Sequence, residues 1–254
     1  MIKLSNYDFE QTKCLKHKIT NIAEKTFNQF DDASANAFET LIKKYEDSKS
    51  ERIELYKKLS NSKEDDQGIP TSQNIEMFKK MMDLLSDEYL SSEHLNSLSE
   101  MTVVYLFKSV EISIKTLIHT AYPQTNIKDF YQWKNMASFF NSINIKISDF
   151  DGYVEVIQLK DVNNSIKHNN IINIEINKIK EFTGETQFTF KNISNFNKRI
   201  KPKIQNFVKL LGQEIINDLY VFDDSRVEQI SNDFQSRMNK DVLQKFVTNL
   251  TNGH

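Results

Sequence analysis

The sequence predicts an all-α helical bundle, on three observations. Only five glycines and three prolines punctuate 254 residues, too few for the turns of a strand-rich fold. Apolar residues recur at spacings of three and four over long stretches, the period of one buried helical face. Between those stretches stand acids, serines and asparagines, the residue types that cap helices.

Taken in order, an amphipathic pattern runs from Asp8 to about Phe30, and Asp31-Asp32 offers a break that caps the next helix. That next helix is expected from about Ala33 to Leu59, with Phe38, Leu41, Ile42, Tyr45, Ile53, Tyr56 and Leu59 on one apolar stripe and mixed charges elsewhere. Ser60 to Gln73 combines a charge run with the first Gly and Pro, and reads as a linker or exposed loop. A shorter helix, about Ile75 to Leu90, carries Met77, Phe78, Met81, Met82, Leu84 and Leu85; core packing is the expected use of these side chains.

Ser91-Ser92-Glu93-His94 then opens the most apolar helix, about Glu93 to His119, as suits the centre of a bundle. Lys108, Glu111 and Lys115 interrupt its apolar surface at spacings of three and four, so Glu111 neighbours both lysines. After a loop at 121–128, an aromatic helix is expected from about Asp129 to Ile143. Its partner starts near Ser148 or Asp149 and continues to Lys167-His168. Alternation at 171–176 and 184–190 is compatible with a small β-hairpin, although isoleucine runs suit helix as well. Further helices follow at about Asn197–Tyr220 and Asp224–Asn249. The expected organisation is an N-terminal helical region over 1–90, a bundle over 91–220, and a C-terminal helix and tail over 221–254.

Composition narrows the function classes. A formal net charge of −2 argues against a surface that binds nucleic acid indiscriminately, while leaving room for a local basic site. Cys14 is the single cysteine, and no Cys/His cluster has metal-ligand spacing, so neither a disulfide framework nor a metal or other cofactor is expected. The N-terminal stretch has no continuous apolar run of the signal-peptide kind, and no run reaches the length of a membrane span; a cytoplasmic protein without a membrane partner is the expectation.

One constellation carries chemistry. At 100° per residue, Lys160, Asn164 and His168 lie along one face of the helix ending at His168, flanked by Asn163 and Lys167. Lysines neutralise a phosphodiester, amides donate hydrogen bonds, and the imidazole is the local group suited to proton transfer near neutral pH. The same residues also suit an ordinary helix C-terminus, where they satisfy the last carbonyls and the macrodipole.

In its order of helices, the region from about Glu93 to Tyr220 resembles HEPN domains. The central helix reads Tyr105-Leu106-Phe107-Lys108-Ser109-Val110-Glu111-Ile112-Ser113-Ile114-Lys115-Thr116-Leu117-Ile118. An aromatic helix follows around Trp133, and then a helix closing on Asn163-Asn164-Ser165-Ile166-Lys167-His168. The resemblance implies a four-helix core that commonly dimerises across a shared cleft. In active members it implies metal-independent RNA cleavage, in which a histidine assists proton transfer and an arginine stabilises the developing charge. His168 matches the motif histidine and Asn164 the polar residue after the arginine, whereas Asn163 stands where the arginine would be. A neutral amide has neither the permanent charge nor the donor fork of a guanidinium.

A second feature is Lys191 to Lys209, with Lys198, Arg199, Lys201 and Lys203 and no acid; Phe190 and Phe196 offer stacking surfaces beside them. Pro202 near a helix start makes a solvated basic face the competing reading. Two functions are therefore expected: an RNA-binding protein, to which the resemblance adds RNA cleavage and a toxin or phage-defence setting; or a non-catalytic HEPN-like module that binds a second subunit, an antitoxin or another protein.

Overall fold

A computed structural model describes residues 9–61, 71–222 and 224–251. Among them the regular structure is helical, with no strand: α1 Phe9–Ala23, α2 Gln29–Ser60, α3 Ser72–Ala121, α4 Trp133–Ser142, α5 Tyr153–His168, α6 Ile174–Asn177, α7 Phe190–Tyr220, α8 Asp224–Arg237 and α9 Lys240–Thr251. Two compact units divide the chain. One comprises Thr26–Ile112 and Asp151–Asn206; the other comprises Met1–Lys25, Ser113–Phe150 and Phe207–His254. Helices α3 and α7 contribute residues to both.

Several boundaries differ from expectation, each for a local reason. The first helix stops at Ala23, and Asp31 and Asp32 lie inside the first turn of α2, where acids complement the positive helix end. No break occurs at Ser91 to His94: with no Gly or Pro there, the ladder of α3 runs on through Ser91, which is buried. The region 62–70, which holds most of the expected linker, lies outside the described residues. Asn126 accepts from the Lys128 amide and starts a 3-10 turn, Ile127–Phe130, ahead of α4. Gly152, at φ 92, turns the chain into α5, which therefore begins later than Ser148 or Asp149.

The hairpin expected near 171–190 is absent. Part of that stretch, Ile174–Asn177, forms α6, and a 3-10 turn follows at Lys180–Phe182. Ile176, Ile179 and Phe182 are buried at helical spacing, while Ile174 is exposed. Asn173 accepts from the Ile176 amide, which starts that turn of helix. Helix α7 begins seven residues earlier than expected, so Pro202 lies inside it, where the Lys198 carbonyl loses its usual donor. The expected last helix is two, because Asn239 accepts from the Val242 amide and opens α9.

In the unit containing α5, buried residues come from α3 (Leu95, Val103, Leu106, Val110), α5 (Val156, Leu159, Val162) and α7 (Ile193, Phe196, Ile200, Ile204). Phe182 stands against Phe188 and Phe196, with ring centroids 5.3 Å and 5.2 Å away. Each fully buried side chain of this size contributes about 1.5–3 kcal/mol. Away from that core, α2 and α3 form an antiparallel pair joined by Lys44–Asp87 at 2.9 Å and Arg52–Glu88 at 2.7 Å. In the other unit, Ile19 of α1, Ile114, Leu117 and Ile118 of α3, Met136 and Phe140 of α4, and Phe207, Leu211 and Ile215 of α7 are buried.

Candidate functional site

The terminus of α5 is set by its buried face. Val156, Leu159 and Val162 turn inward, and so do Asn163, 1% exposed, and Ser165. The helix ends at His168 because Asn170 adopts a left-handed conformation at φ 48 and donates its amide to the Ser165 carbonyl at 2.7 Å. Ser165 Oγ donates to the Ile171 carbonyl, and Asn170 Nδ2 donates to Glu100 Oε1 at 3.0 Å. Asn164, Lys167 and His168 are left on the exposed side.

Asn164 and His168 line an open groove of about 410 Å³ with Asp161, Asn169, Asn173 and Glu175. Its ionisable side chains are two carboxylates and one imidazole. Lys160 lies 3.3 Å from Asp161, and Lys178 holds Glu175 at 2.8 Å, so each of the two acids already has a cation beside it. Asn163 is placed inside the fold: its Nδ2 approaches Asn164 Oδ1 at 3.4 Å, and its own buried Oδ1 has no hydrogen-bond partner. It therefore does not share the exposed face of His168. Of the residues noted on α3, Lys108 is exposed with its ammonium 5.8 Å from the Tyr105 ring centroid, and Glu111 and Lys115 are half-buried; none of the three lines the groove.

Three cations of the basic run on α7 are paired with acids from distant segments. Arg199 donates to both oxygens of Glu181 at 2.8 Å and 2.9 Å and to Gln158 Oε1 at 3.0 Å, with Glu155 at 3.9 Å. The hydrogen-bonded guanidinium holds the Glu181 carboxyl below the usual range, and the Arg199 pKa is raised in return. Lys201 pairs with Asp31. Lys203 pairs with Asp151 at 3.0 Å, which lowers the carboxyl's pKa and raises that of the ammonium; Asn206 also donates to Asp151 at 3.0 Å. Lys198 is exposed. Phe196 is fully buried and offers no stacking surface, while Phe190 is half-buried, edge-on to Tyr45.

No protein-family model, curated protein or solved structure matches the chain. Among the described residues, no helix is long and apolar enough to cross a membrane, and no group of three or more His, Cys, Asp or Glu side chains is placed to hold a metal ion.

The apolar residues of the α2–α3 pair form a second surface. Met77, Met81 and Leu84 of α3 are half-buried, as are Phe38, Leu41, Tyr45, Leu55 and Leu59 of α2. Ile75, Phe78, Met82, Leu85 and Tyr89 form a neighbouring stripe that is 44% to 63% exposed. The expected core stripe of this helix thus divides into two faces, one half-covered and one open. Ile42, Ile53 and Tyr56 of α2 are exposed as well. The signal was present in the sequence: apolar residues on two adjacent faces exceed what a single helix–helix seam consumes.

Proposed function

We propose that the chain is a HEPN-like helical interaction module that pairs with a second copy of itself through the α2–α3 hairpin. The observation carrying this reading is the open stripe Ile75, Phe78, Met82, Leu85 and Tyr89, whose successive spacings of three, four, three and four are those of a helix–helix seam. It extends about 21 Å along α3 at 1.5 Å per residue. An apolar surface of this length and regularity exceeds the scattered exposed side chains of ordinary surfaces. A second copy presents the same stripe, and the flanking Lys79, Lys80, Asp83 and Asp87 carry both signs, so like copies need not repel.

Sedimentation velocity at micromolar concentration tests this. The expected result is twice the 29.8 kDa of one chain for the wild type, and a monomer of unchanged helicity for Phe78→Glu combined with Leu85→Glu. A wild type that sediments as a monomer rejects the proposal.

A second reading gives the α5 terminus a role on RNA. It is supported by the exposed His168 beside Asn164, Asn169 and Asn173 in one groove, and by the resemblance of that helix to HEPN motifs. Asp161 and Glu175 oppose it, since a phosphodiester would enter beside two carboxylates. Cleavage of total RNA by the wild type and its loss in His168→Ala would support this reading; equal products from both would remove His168 from the chemistry.

A further inference from the structure

Ion pairs fix the side of the α2–α3 hairpin on which the open stripe lies. Lys44–Asp87 and Glu51–Lys80 repeat at seven residues along both helices and so mark one edge of the seam. At 100° per residue, Ile42, Ile53 and Tyr56 of α2 project from the opposite edge, and so do Ile75, Phe78, Met82, Leu85 and Tyr89 of α3. With Glu51 level with Lys80, Ile53 stands level with Phe78 and Tyr56 with Ile75. The two sets form one two-helix apolar face, each member 38% to 63% exposed.

This face continues a seat that another helix of the chain already fills. In steps of three and four, the stripe of α3 runs on from Tyr89 through Ser92, Asn96 and Ser99 to Val103, Leu106 and Val110, the last three buried. There α7 lies on it. The Phe190 amide donates to Asn96 Oδ1 at 2.8 Å, Asn197 Nδ2 donates to Thr102 Oγ1, and Ser194 and Asn197 border one groove with Ile42 and Ser99. Because α7 starts at Phe190, the seat is filled from Asn96 onward and open from Tyr89 back to Ile75.

The position of α7 decides how a second copy fits. We infer that two hairpins stack face to face in antiparallel sense, about a two-fold axis at Met82, as a four-helix bundle; this rests on the pairing proposed above. In parallel sense, the helices of the second copy would run past Ser92 into the space that α7 fills, and the two α7 helices would meet at the same end. In antiparallel sense, Ser72 at the start of α3 comes level with Ser92 of the second copy, four residues short of Asn96. The apolar residues then match: Ile75 lies against Tyr89 of the second copy, Phe78 against Leu85, and on α2 Ile42 against Tyr56. Lys49 comes level with the axis, one turn from Glu46 of the second copy, so opposite charges meet there.

Cysteine cross-linking in the full chain, with Cys14→Ser removing the exposed native thiol, reads the orientation. Met82→Cys should give a disulfide-linked dimer under mild oxidation. Ile75→Cys and Tyr89→Cys should each stay unlinked alone, because like sites stand about 21 Å apart across the axis, and should link when the two proteins are mixed and re-equilibrated. Self-linking of Ile75→Cys would mean parallel sense and overturn the inference with the pairing intact. A dimer in which neither Met82→Cys nor the mixed pair links would do the same. Ile53→Glu, on the α2 half of the face, should weaken the dimer about tenfold or more in sedimentation equilibrium; unchanged dissociation would show that α3 alone carries the contact and overturn the bundle. A monomeric wild type removes the pairing itself, and the orientation with it.

Discussion

Arg199 on α7 grips Glu181 through two parallel hydrogen bonds, Nε to Oε1 at 2.8 Å and Nη2 to Oε2 at 2.9 Å. The pair ties the 3-10 turn at Lys180–Phe182 to α7, and Gln158 of α5 joins it through the same guanidinium. Glu181 is 10% exposed at its side chain, so the carboxylate depends on this partner. Glu181→Gln is expected to destabilise the fold by about 2–3 kcal/mol at neutral pH, the range for a charge-assisted hydrogen bond lost from a partly buried site. Chemical denaturation measures it.

The same pair sets an acid dependence with a definite sign. The folded-state pKa of Glu181 lies below its ordinary value because Arg199 favours the carboxylate. Its contribution is therefore fully present above the unfolded-state value and is lost as pH falls through the folded-state value. Arg199 stays charged throughout. Denaturation midpoints should fall less steeply on acidification in Glu181→Gln than in the wild type. Parallel pH profiles for the two proteins would show that the pair adds nothing in this window.

Gly212 lies where α7 meets α1. A Cβ at this position would come within 2.4 Å of the Ala23 Cβ and 3.8 Å of Ile19 Cγ2. Glycine to alanine in a helix interior ordinarily gains about 1 kcal/mol, but here overpacking at a cost of about 1–3 kcal/mol decides the sign. Gly212→Ala should lower the melting temperature, and Ala23→Gly in the same chain should recover part of the loss by vacating the contested space. Stabilisation by the single substitution would mean that the two helices separate freely.

The helical class and most of the buried faces were legible because burial imposes a period of 3.6 on the sequence itself. Val156, Leu159 and Val162 are at positions where that period puts them, and all three are fully buried. Helix ends were less legible, since Ser91 and Ser92 resemble a cap yet lie within one continuous helix. The site was less legible still. A run of lysines and arginine without a local acid looks basic, but its charge is decided by Asp31, Asp151 and Glu181, which only the tertiary fold brings to it. Likewise the 3.6 period places Asn163 on the flank of the His168 face, whereas the helix is rotated enough to bury it.

Asn163 gives a direct test of that rotation. It occupies the position at which the HEPN resemblance expects arginine, and it is 1% exposed with an unpaired Oδ1. Asn163→Arg should therefore supply no active-site cation; it would bury an uncompensated guanidinium at a cost of about 3 kcal/mol or more. Asn163→Leu, of similar size and without the orphaned acceptor, should be neutral or stabilising. Thermal denaturation of the two variants distinguishes them. A stable Asn163→Arg protein with new RNA-cleaving activity would instead place this residue on the surface beside His168.

The last prediction concerns α8 and α9. No residue of α9 is buried, and the pair is joined by Phe234 and Phe246, with ring centroids 4.7 Å apart. Phe222, Val227, Val247 and Leu250 are exposed about a groove of about 460 Å³. Helices with so little covered surface open locally at a small fraction of the global free energy, because the apolar side chains between them, Ile230, Phe234, Leu243 and Phe246, are no more than half-buried. Backbone amides of α9 should exchange with deuterium at least about a hundredfold faster than those of α5, whose inner face is fully buried; that ratio corresponds to about 2.7 kcal/mol of opening free energy. Phe246→Ala should accelerate exchange in both α8 and α9 and leave α5 unchanged. Protection in α9 equal to that in α5 would show that the exposed apolar face is covered in solution, and cross-linking would then reveal whether a second copy covers it.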